Sequence, residues 1–251
     1  MKLVFMGTTV FAVPSLRALS EGGYELVGVF TQPDRRSGRG QKMRPTPIKE
    51  AALELNYPIH QPDSLNTDEL RELFIGLSPE LIVVVAYGKI IPPWLIDLPE
   101  RGVVNLHGSI LPKYRGAAPV NRAIINGETR TGVCTMQIDE GLDTGPVYLC
   151  KETDIHSNDT APELSSRLAT IGAPLLLQTL AGIEGDALVP KPQAHGETSL
   201  APRLTKEEGA IEWSETAQQI HDKVRGFLPW PSVVVRFRDT PCKILASKPT
   251  G

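Results

Sequence analysis

Three cysteines in 251 residues leave sulfur little to do. Cys134, Cys150 and Cys242 cannot build a framework of several disulfides, which suits a reducing compartment, the cytoplasm. None is spaced with another cysteine or a histidine as in a zinc site. Cys134 and Cys150, in strand-like runs, therefore read as small buried hydrophobes. No apolar run approaches the ~18 residues of a membrane span, and Met1-Lys2-Leu3-Val4-Phe5-Met6-Gly7 lacks the length and flanks of a secretory signal. It reads instead as a first strand. The turn after it, Gly7-Thr8-Thr9-Val10-Phe11-Ala12, has no G-x-G-x-x-G, so a nicotinamide or flavin dinucleotide is not expected. Also missing are the G-x-x-x-x-G-K-[ST] phosphate loop and the G-x-S-x-G nucleophile elbow.

What is there is alternation. Strand patterns at Lys2–Gly7, 25–32, 59–61, 81–86, 102–108, 132–138 and 147–151 alternate with helical patterns at 14–20, 47–56, 67–77 (with Asn66 as the expected cap), 92–98, 119–126 and 161–182. The continuous apolar run Leu81-Ile82-Val83-Val84-Val85-Ala86 is what a strand inside a parallel sheet requires. The expected fold is α/β, a Rossmann-like, mostly parallel sheet flanked by helices. Prolines at 190, 192 and 202 break the chain, and the pattern then changes to one short helix and two β-rich pieces. The expected division is a domain over 1–189, a linker over 190–205 and a small β domain over 206–251.

Net charge is −3, so the whole chain is no magnet for nucleic acid. Arg35, Arg36, Arg39, Lys42 and Arg44, however, fall within ten residues with no acid among them. They lie in a polar stretch over 33–47, read as a long loop. Such a loop is more often functional or disordered than neutral. A solvated charge run is the plainer alternative.

The stretch Val103-Val104-Asn105-Leu106-His107-Gly108-Ser109 begins as a buried strand and ends in a Gly/Pro-punctuated loop. Side chains alternate faces along a strand, so Asn105, His107 and Ser109 should point one way and Val104 and Leu106 the other. A lone strand histidine is more often structural than catalytic. Here it shares a face with an amide at a strand's carboxyl end, where open α/β sheets bind ligands. A second polar loop, Asp139-Glu140-Gly141-Leu142-Asp143-Thr144-Gly145-Pro146, follows the next crossover. Asp143 is either a turn residue or a carboxylate that orients an imidazole. With no serine or cysteine nucleophile in evidence, the trio suits direct transfer of a group between two substrates. Asparagine can donate to a developing oxyanion, histidine can move a proton, and aspartate can hold the histidine. Asp139, Glu140 and Asp143 could bind a hard cation, but glycine and leucine separate them and no metal is expected.

Asn105-Leu106-His107-Gly108-Ser109-Ile110-Leu111-Pro112-Lys113-Tyr114-Arg115-Gly116, followed by Asp143-Thr144-Gly145-Pro146, resembles the 10-formyltetrahydrofolate-dependent formyltransferases. The basic stretch Arg39-Gly40-Gln41-Lys42-Met43-Arg44-Pro45-Thr46-Pro47-Ile48-Lys49 narrows the resemblance to the branch that formylates methionyl initiator tRNA. Ala86-Tyr87-Gly88-Lys89-Ile90-Ile91-Pro92 matches as well. The resemblance implies 10-formyltetrahydrofolate as co-substrate and formyl donor, initiator methionyl-tRNA as acceptor, and a cytoplasmic monomer. Asn105, His107 and Asp143 match the catalytic trio. Ser109, Ile110, Leu111 and Pro112 match the folate-contacting segment, helped by Tyr87, Gly88, Ile90 and Asp139. Arg35, Arg36, Arg39, Lys42 and Arg44 match the tRNA-engaging segment. Thr9 and Val10 depart from the proline and acid usual there, with no catalytic consequence expected. Residues 208–213 and 225–231 match the start of the family's C-terminal OB-like β-barrel, which is expected to be incomplete at Gly251. The rival readings are a formyltransferase acting on a sugar nucleotide or glycinamide ribonucleotide, a formyl-folate hydrolase, and a binding module without catalysis.

Overall fold

The computed structural model describes residues 1–37 and 42–250. Its elements, in order, are β1 (Lys2–Gly7), α1 (Val13–Glu21), β2 (Glu25–Phe30), β3 (Arg35–Ser37), β4 (Lys42–Arg44), α2 (Pro47–Glu54), β5 (Ile59–His60), α3 (Asp68–Leu77), β6 (Leu81–Val85), α4 (Pro93–Ile96), β7 (Val103–His107), α5 (Pro119–Ile125), β8 (Arg130–Gln137), β9 (Val147–Asp154), α6 (Ala161–Glu184), α7 (Ala217–Gly226), β10 (Val233–Phe237) and β11 (Thr240–Ile244). The chain forms two compact units. The first comprises Met1–His107, Cys134–Cys150 and Ala169–Gln193, and the second the remainder.

The first unit carries a sheet of order β5-β2-β1-β6-β7-β8-β9. β5, β2, β1, β6 and β7 run parallel, and β7 pairs antiparallel with β8. This is the mostly parallel Rossmann-like sheet expected from the alternation of elements. The order reverses direction between β1 and β6, so their carboxyl ends flank the crevice where such sheets bind ligands.

Period-two alternation decides what each face of this sheet meets. Val4, Met6, Ile82, Val84 and Val103 share one face and pack with Leu70 and Phe74 of α3 and Leu95 of α4. Phe74 stacks on Phe30, with ring centroids 4.5 Å apart. The opposite face meets α6. A Cβ on Gly172 of that helix would lie 2.6 Å from Leu106 Cδ2, and Thr135 Oγ1 lies 2.7 Å from Thr179 Oγ1. Leu106 and Thr135 are direct neighbours across β7 and β8, so both observations report the same face.

In the second unit Val224, Phe227 and Val233 form a small core with Ile125, Leu204 and Ile211 packed against it. The Asn121 amide donates to Gly226 O at 2.7 Å, and Arg122 grips Glu208, holding that carboxyl below its usual range. β10 and β11 form an antiparallel pair, the small β region expected near the C-terminus.

Several local expectations are corrected. The stretch over 33–47 is not all loop. β3 and β4 pair antiparallel as a hairpin, whose arginine-rich strands carry no apolar alternation to betray them. The cap of α3 is Thr67, whose hydroxyl accepts from Leu70 N, while Asn66 Oδ1 accepts from the Trp94 indole at 3.3 Å. Cys134 is fully buried as expected, but Cys150 is exposed and the two are joined in a disulfide. Adjacent strands bring them together, which linear spacing does not reveal. β7 ends at His107, so Ser109 lies beyond the alternation. Its hydroxyl is buried and donates to Lys113 O at 2.6 Å.

The hairpin from β8 to β9 closes without room at Gly145. A Cβ there would meet Gln137 O at 1.9 Å, and backbone cannot yield as a side-chain tip can. Gly145→Ala is expected to cost about 1–3 kcal/mol, the usual penalty of overpacking, read as a lower urea midpoint at unchanged slope.

Candidate functional site

The face that packs against α3 and α4 is apolar along most of its length and turns polar at the carboxyl end of β7. Asn105 sits opposite Val84 on one side and Met136 on the other, and His107 sits opposite Cys134. Two residues apart on an uninterrupted strand, they point the same way, as expected. Asn105 is half-buried and His107 buried. His107 Nδ1 stands 3.6 Å from Asp143 Oδ2. The structure thus brings all three members of the expected trio into the first unit, at one rim.

Asp143 is held there by its backbone. It takes a left-handed conformation, φ 52°, which aspartate tolerates better than most residues. The Gln193 amide donates to Asp143 O at 2.9 Å and to Gly145 O at 2.7 Å. Gln193 was legible only as part of a proline-broken linker, and its clasp on this loop is a finding of the fold. Asp139 plays a different part. Its exposed carboxylate accepts from Gly141 N at 3.1 Å and Thr144 Oγ1 at 2.7 Å, so it shapes the loop.

β6 ends beside β7 and delivers the 86–91 segment to the same rim. Ala86, Gly88 and their neighbours turn sharply, with φ 46° at Ala86 and 84° at Gly88. The Tyr87 ring lies in the core, while its carbonyl accepts from Thr8 Oγ1 at 2.8 Å and from Gln32 Nε2 at 3.0 Å. Lys89 Nζ anchors the segment by donating to Pro62 O at 2.6 Å and Asp63 O at 2.7 Å. Burial lowers the Lys89 pKa, Asp63 opposes that shift, and the charge of Arg35 adds to it. Ile90 is 90% exposed, an apolar side chain standing out from the rim. Ser109, Ile110, Leu111 and Pro112 follow His107 in the chain and belong to the second unit. Ser109 and Leu111 are buried, and Ile110 and Pro112 half-buried.

The basic segment leaves the carboxyl end of β2. Arg35 pairs across the hairpin with Arg44, and Arg36 with Met43, while Lys42 faces Ser37. Arg35, Arg36, Lys42 and Arg44 are exposed, and Arg39 falls outside the described residues. The root of the hairpin is fixed. Lys49 Nζ donates to Asp34 Oδ2 at 2.7 Å, and Gln61 Nε2 donates to Asp34 Oδ1 at 2.7 Å and to Gln32 O at 2.9 Å. Those donors hold the Asp34 carboxyl below the usual range. A cavity of about 310 Å³ opens at this root, lined by Thr8, Gln32, Arg35, Arg44 and Thr46 among others.

Residues 1–180 match the formyl transferase family, and residues 203–251 match the formyl transferase C-terminal domain. The chain belongs to the formyl transferase family. The methionyl-tRNA formyltransferase of Solibacter usitatus is 48% identical over 249 residues, which span 99% of this chain and 80% of that protein. Among solved structures, the methionyl-tRNA formyltransferase of Clostridium thermocellum aligns at TM-score 0.67 and 19% identity, over 96% of this chain and 90% of that one. WlaRD, a sugar 3N-formyl transferase solved in the presence of dTDP and 5-N-formyl-THF, aligns at TM-score 0.74 and 22% identity, over 98% and 85% of the two chains. Both formyl transferase structures share the fold of this chain.

The Tyr87 hydroxyl generates a test. It is buried with no hydrogen-bond partner among the described residues, and burial pushes its pKa up to about 12. A phenol whose folded pKa is raised lends stability below its ordinary value near 10, and that stability is lost as pH rises through the folded value. Tyr87→Phe is expected to leave stability at pH 7 unchanged or about 1 kcal/mol higher, because it removes an unpaired buried hydroxyl. It should also flatten the loss of stability between about pH 10 and 12. Urea unfolding of both proteins across that range checks the sign.

Proposed function

We propose that the chain transfers the formyl group of 10-formyltetrahydrofolate to the amino group of methionyl initiator tRNA, giving formylmethionyl-tRNA for translation initiation. The observation that carries the reading is the Asn105–His107–Asp143 cluster at the sheet's carboxyl rim, in a chain 48% identical to a named methionyl-tRNA formyltransferase. A chain with this activity works where translation does, in the cytoplasm. The proposed division of labour along the chain is catalysis over 1–189 and tRNA support over 206–251, joined by 190–205.

The methionyl amine attacks the formyl carbon, and the carbonyl oxygen becomes an oxyanion. Asn105 donates its amide N–H to that oxygen, strengthening as charge develops. His107 takes the proton lost by the amine and returns a proton to the folate nitrogen as the carbon–nitrogen bond to the donor breaks. Asp143, with Oδ2 3.6 Å from His107 Nδ1, orients the ring. Tyr87, Gly88, Ile90 and Asp139, with Ser109, Ile110, Leu111 and Pro112, are assigned to folate. The exposed Ile90 offers apolar surface to a flat ring, and Asp139 serves through the loop it shapes.

Arg35, Arg36, Arg39, Lys42 and Arg44 are assigned to the tRNA acceptor arm. Like charges directly opposite in an antiparallel pair destabilise it. Arg35 faces Arg44, and among the described residues neither forms an ion pair. Phosphates lying on the hairpin would relieve that repulsion, which supports a polyanionic partner.

Incubation with 10-formyltetrahydrofolate and methionyl initiator tRNA tests the activity, and the same donor with amino-sugar nucleotides tests the acceptor class. Asn105→Ala is expected to lower turnover on the order of 10²–10³-fold, the usual loss of an oxyanion donor. His107→Ala should lower it on the order of 10²–10⁴-fold. Near-normal turnover with unchanged folate binding would remove that residue from the mechanism. Neutralising Arg36, Arg39, Lys42 and Arg44 should raise KM for tRNA far more than KM for folate. It should also flatten the dependence of log affinity on log salt by roughly 0.7–0.9 for each phosphate left without its cation.

A further inference from the structure

Gln32 holds a position the proposed mechanism does not use. It follows the carboxyl end of β2, between the strand and the root of the hairpin. Its carboxamide is engaged at both ends: Nε2 donates to Tyr87 O at 3.0 Å, and Oε1 accepts from the Arg35 guanidinium. Only one orientation of the amide satisfies both neighbours, with nitrogen toward the carbonyl and oxygen toward the cation. The main chain of Gln32 is fixed as well, since its carbonyl accepts from Gln61 Nε2 at 2.9 Å and its N–H reaches Thr8 Oγ1 at 3.4 Å. Room for the amide comes from Gly88, where a Cβ would lie 2.6 Å from Gln32 Nε2 and φ is already 84°.

We infer that Gln32 is a positioning residue shared by the two substrate segments: one end of its amide sets the 86–90 turn, and the other sets Arg35 at the hairpin root. The inference rests on the proposed function, which assigns the turn to folate and the hairpin to tRNA. Gln32 acts through the two neighbours its amide holds. Among natural side chains of this reach, glutamine alone supplies an uncharged donor and acceptor together. Methionine matches its size and offers neither group. Glutamate keeps an acceptor for Arg35 but has no N–H for the Tyr87 carbonyl, so it cuts one end only.

The test is steady-state kinetics with each substrate varied in turn, on wild type, Gln32→Met, Gln32→Glu and Arg35→Ala, with thermal unfolding of each as the check on folding. Gln32→Met is expected to raise both KM values, roughly three- to tenfold each, the worth of one hydrogen bond per end. Gln32→Glu should raise KM for formyl-folate by that factor and leave KM for tRNA within about twofold of wild type. Arg35→Ala should raise KM for tRNA, and adding Gln32→Met to it should raise that KM by clearly less than Gln32→Met does alone, because the guanidinium that Gln32 holds is already gone. If Gln32→Glu moves both constants together, or neither, the two-ended role is overturned. A common fall in kcat and melting temperature at an unchanged ratio of the two constants would assign Gln32 to the fold alone and overturn it equally. Wild-type protein inactive on methionyl-tRNA would overturn the proposed function and this inference with it, whereas active wild type with unsplit variants overturns the inference only.

Discussion

The rim chemistry depends on the close approach of α6 to β7. Gly172 leaves no space for a side chain between its helix and Leu106, so the Leu106 face of β7 is committed to the interior. The Thr135–Thr179 hydrogen bond repeats that commitment one strand over. Because side chains alternate, a committed Leu106 sends Asn105 and His107 to the other face. A slip of one residue would bury an amide and an imidazole against α6 and expose Leu106 and Val104. Burying two polar groups without partners costs several kcal/mol, so register is strongly specified where the site needs it.

On that other face, apolar packing stops where the rim begins. Val103, Ile82 and Val4 are covered by α3 and α4, whereas Asn105, two residues further along β7, is half-buried. The same stacking that builds the core therefore leaves the strand ends uncovered. β1, β2, β6 and β7 all run parallel in this region, so Thr8, Gln32, Tyr87 and the pair Asn105–His107 emerge at one edge of the sheet. Parallel topology here is the device that gathers residues from distant parts of the chain into one place.

Much of this was legible in the sequence. Leu81–Val85 announces a buried parallel strand by composition, and Asn105 and His107 announce a shared face by spacing alone. Other features were not legible, each for a physical reason. The β3–β4 hairpin is built from Arg, Ser, Lys and Met, so no apolar period marks it. Asn66 and Thr67 are both good capping residues, and only the geometry of Leu70 N distinguishes them. The Cys134–Cys150 pairing depends on which strands lie side by side. Gln32 and Gln193 act through partners 55 and 50 residues away, on Tyr87 O and Asp143 O, which no local pattern encodes. The assignments of Ser109–Pro112 to folate and of Arg39 to tRNA come from resemblance. The first lies in the second unit and the second outside the described residues.

Those two glutamines share a logic. Ala86, Gly88 and Asp143 all take positive φ, and for alanine and aspartate that conformation costs about 1–3 kcal/mol unless the surroundings over-determine it. At each place a glutamine amide from elsewhere in the first unit grips the carbonyl beside the strained bond: Gln32 at Tyr87 O, and Gln193 at Asp143 O and Gly145 O. A primary amide suits the task because it can donate two hydrogen bonds, as Gln193 does to Asp143 O and Gly145 O, without bringing a charge beside Asp143 and His107. The two glutamine amides thus offset the strain without adding charge, and Asp143 Oδ2 stands 3.6 Å from His107 Nδ1. The loops at the rim are irregular in backbone yet fixed in place, which is what a site needs if its donors are to stand ready before charge develops.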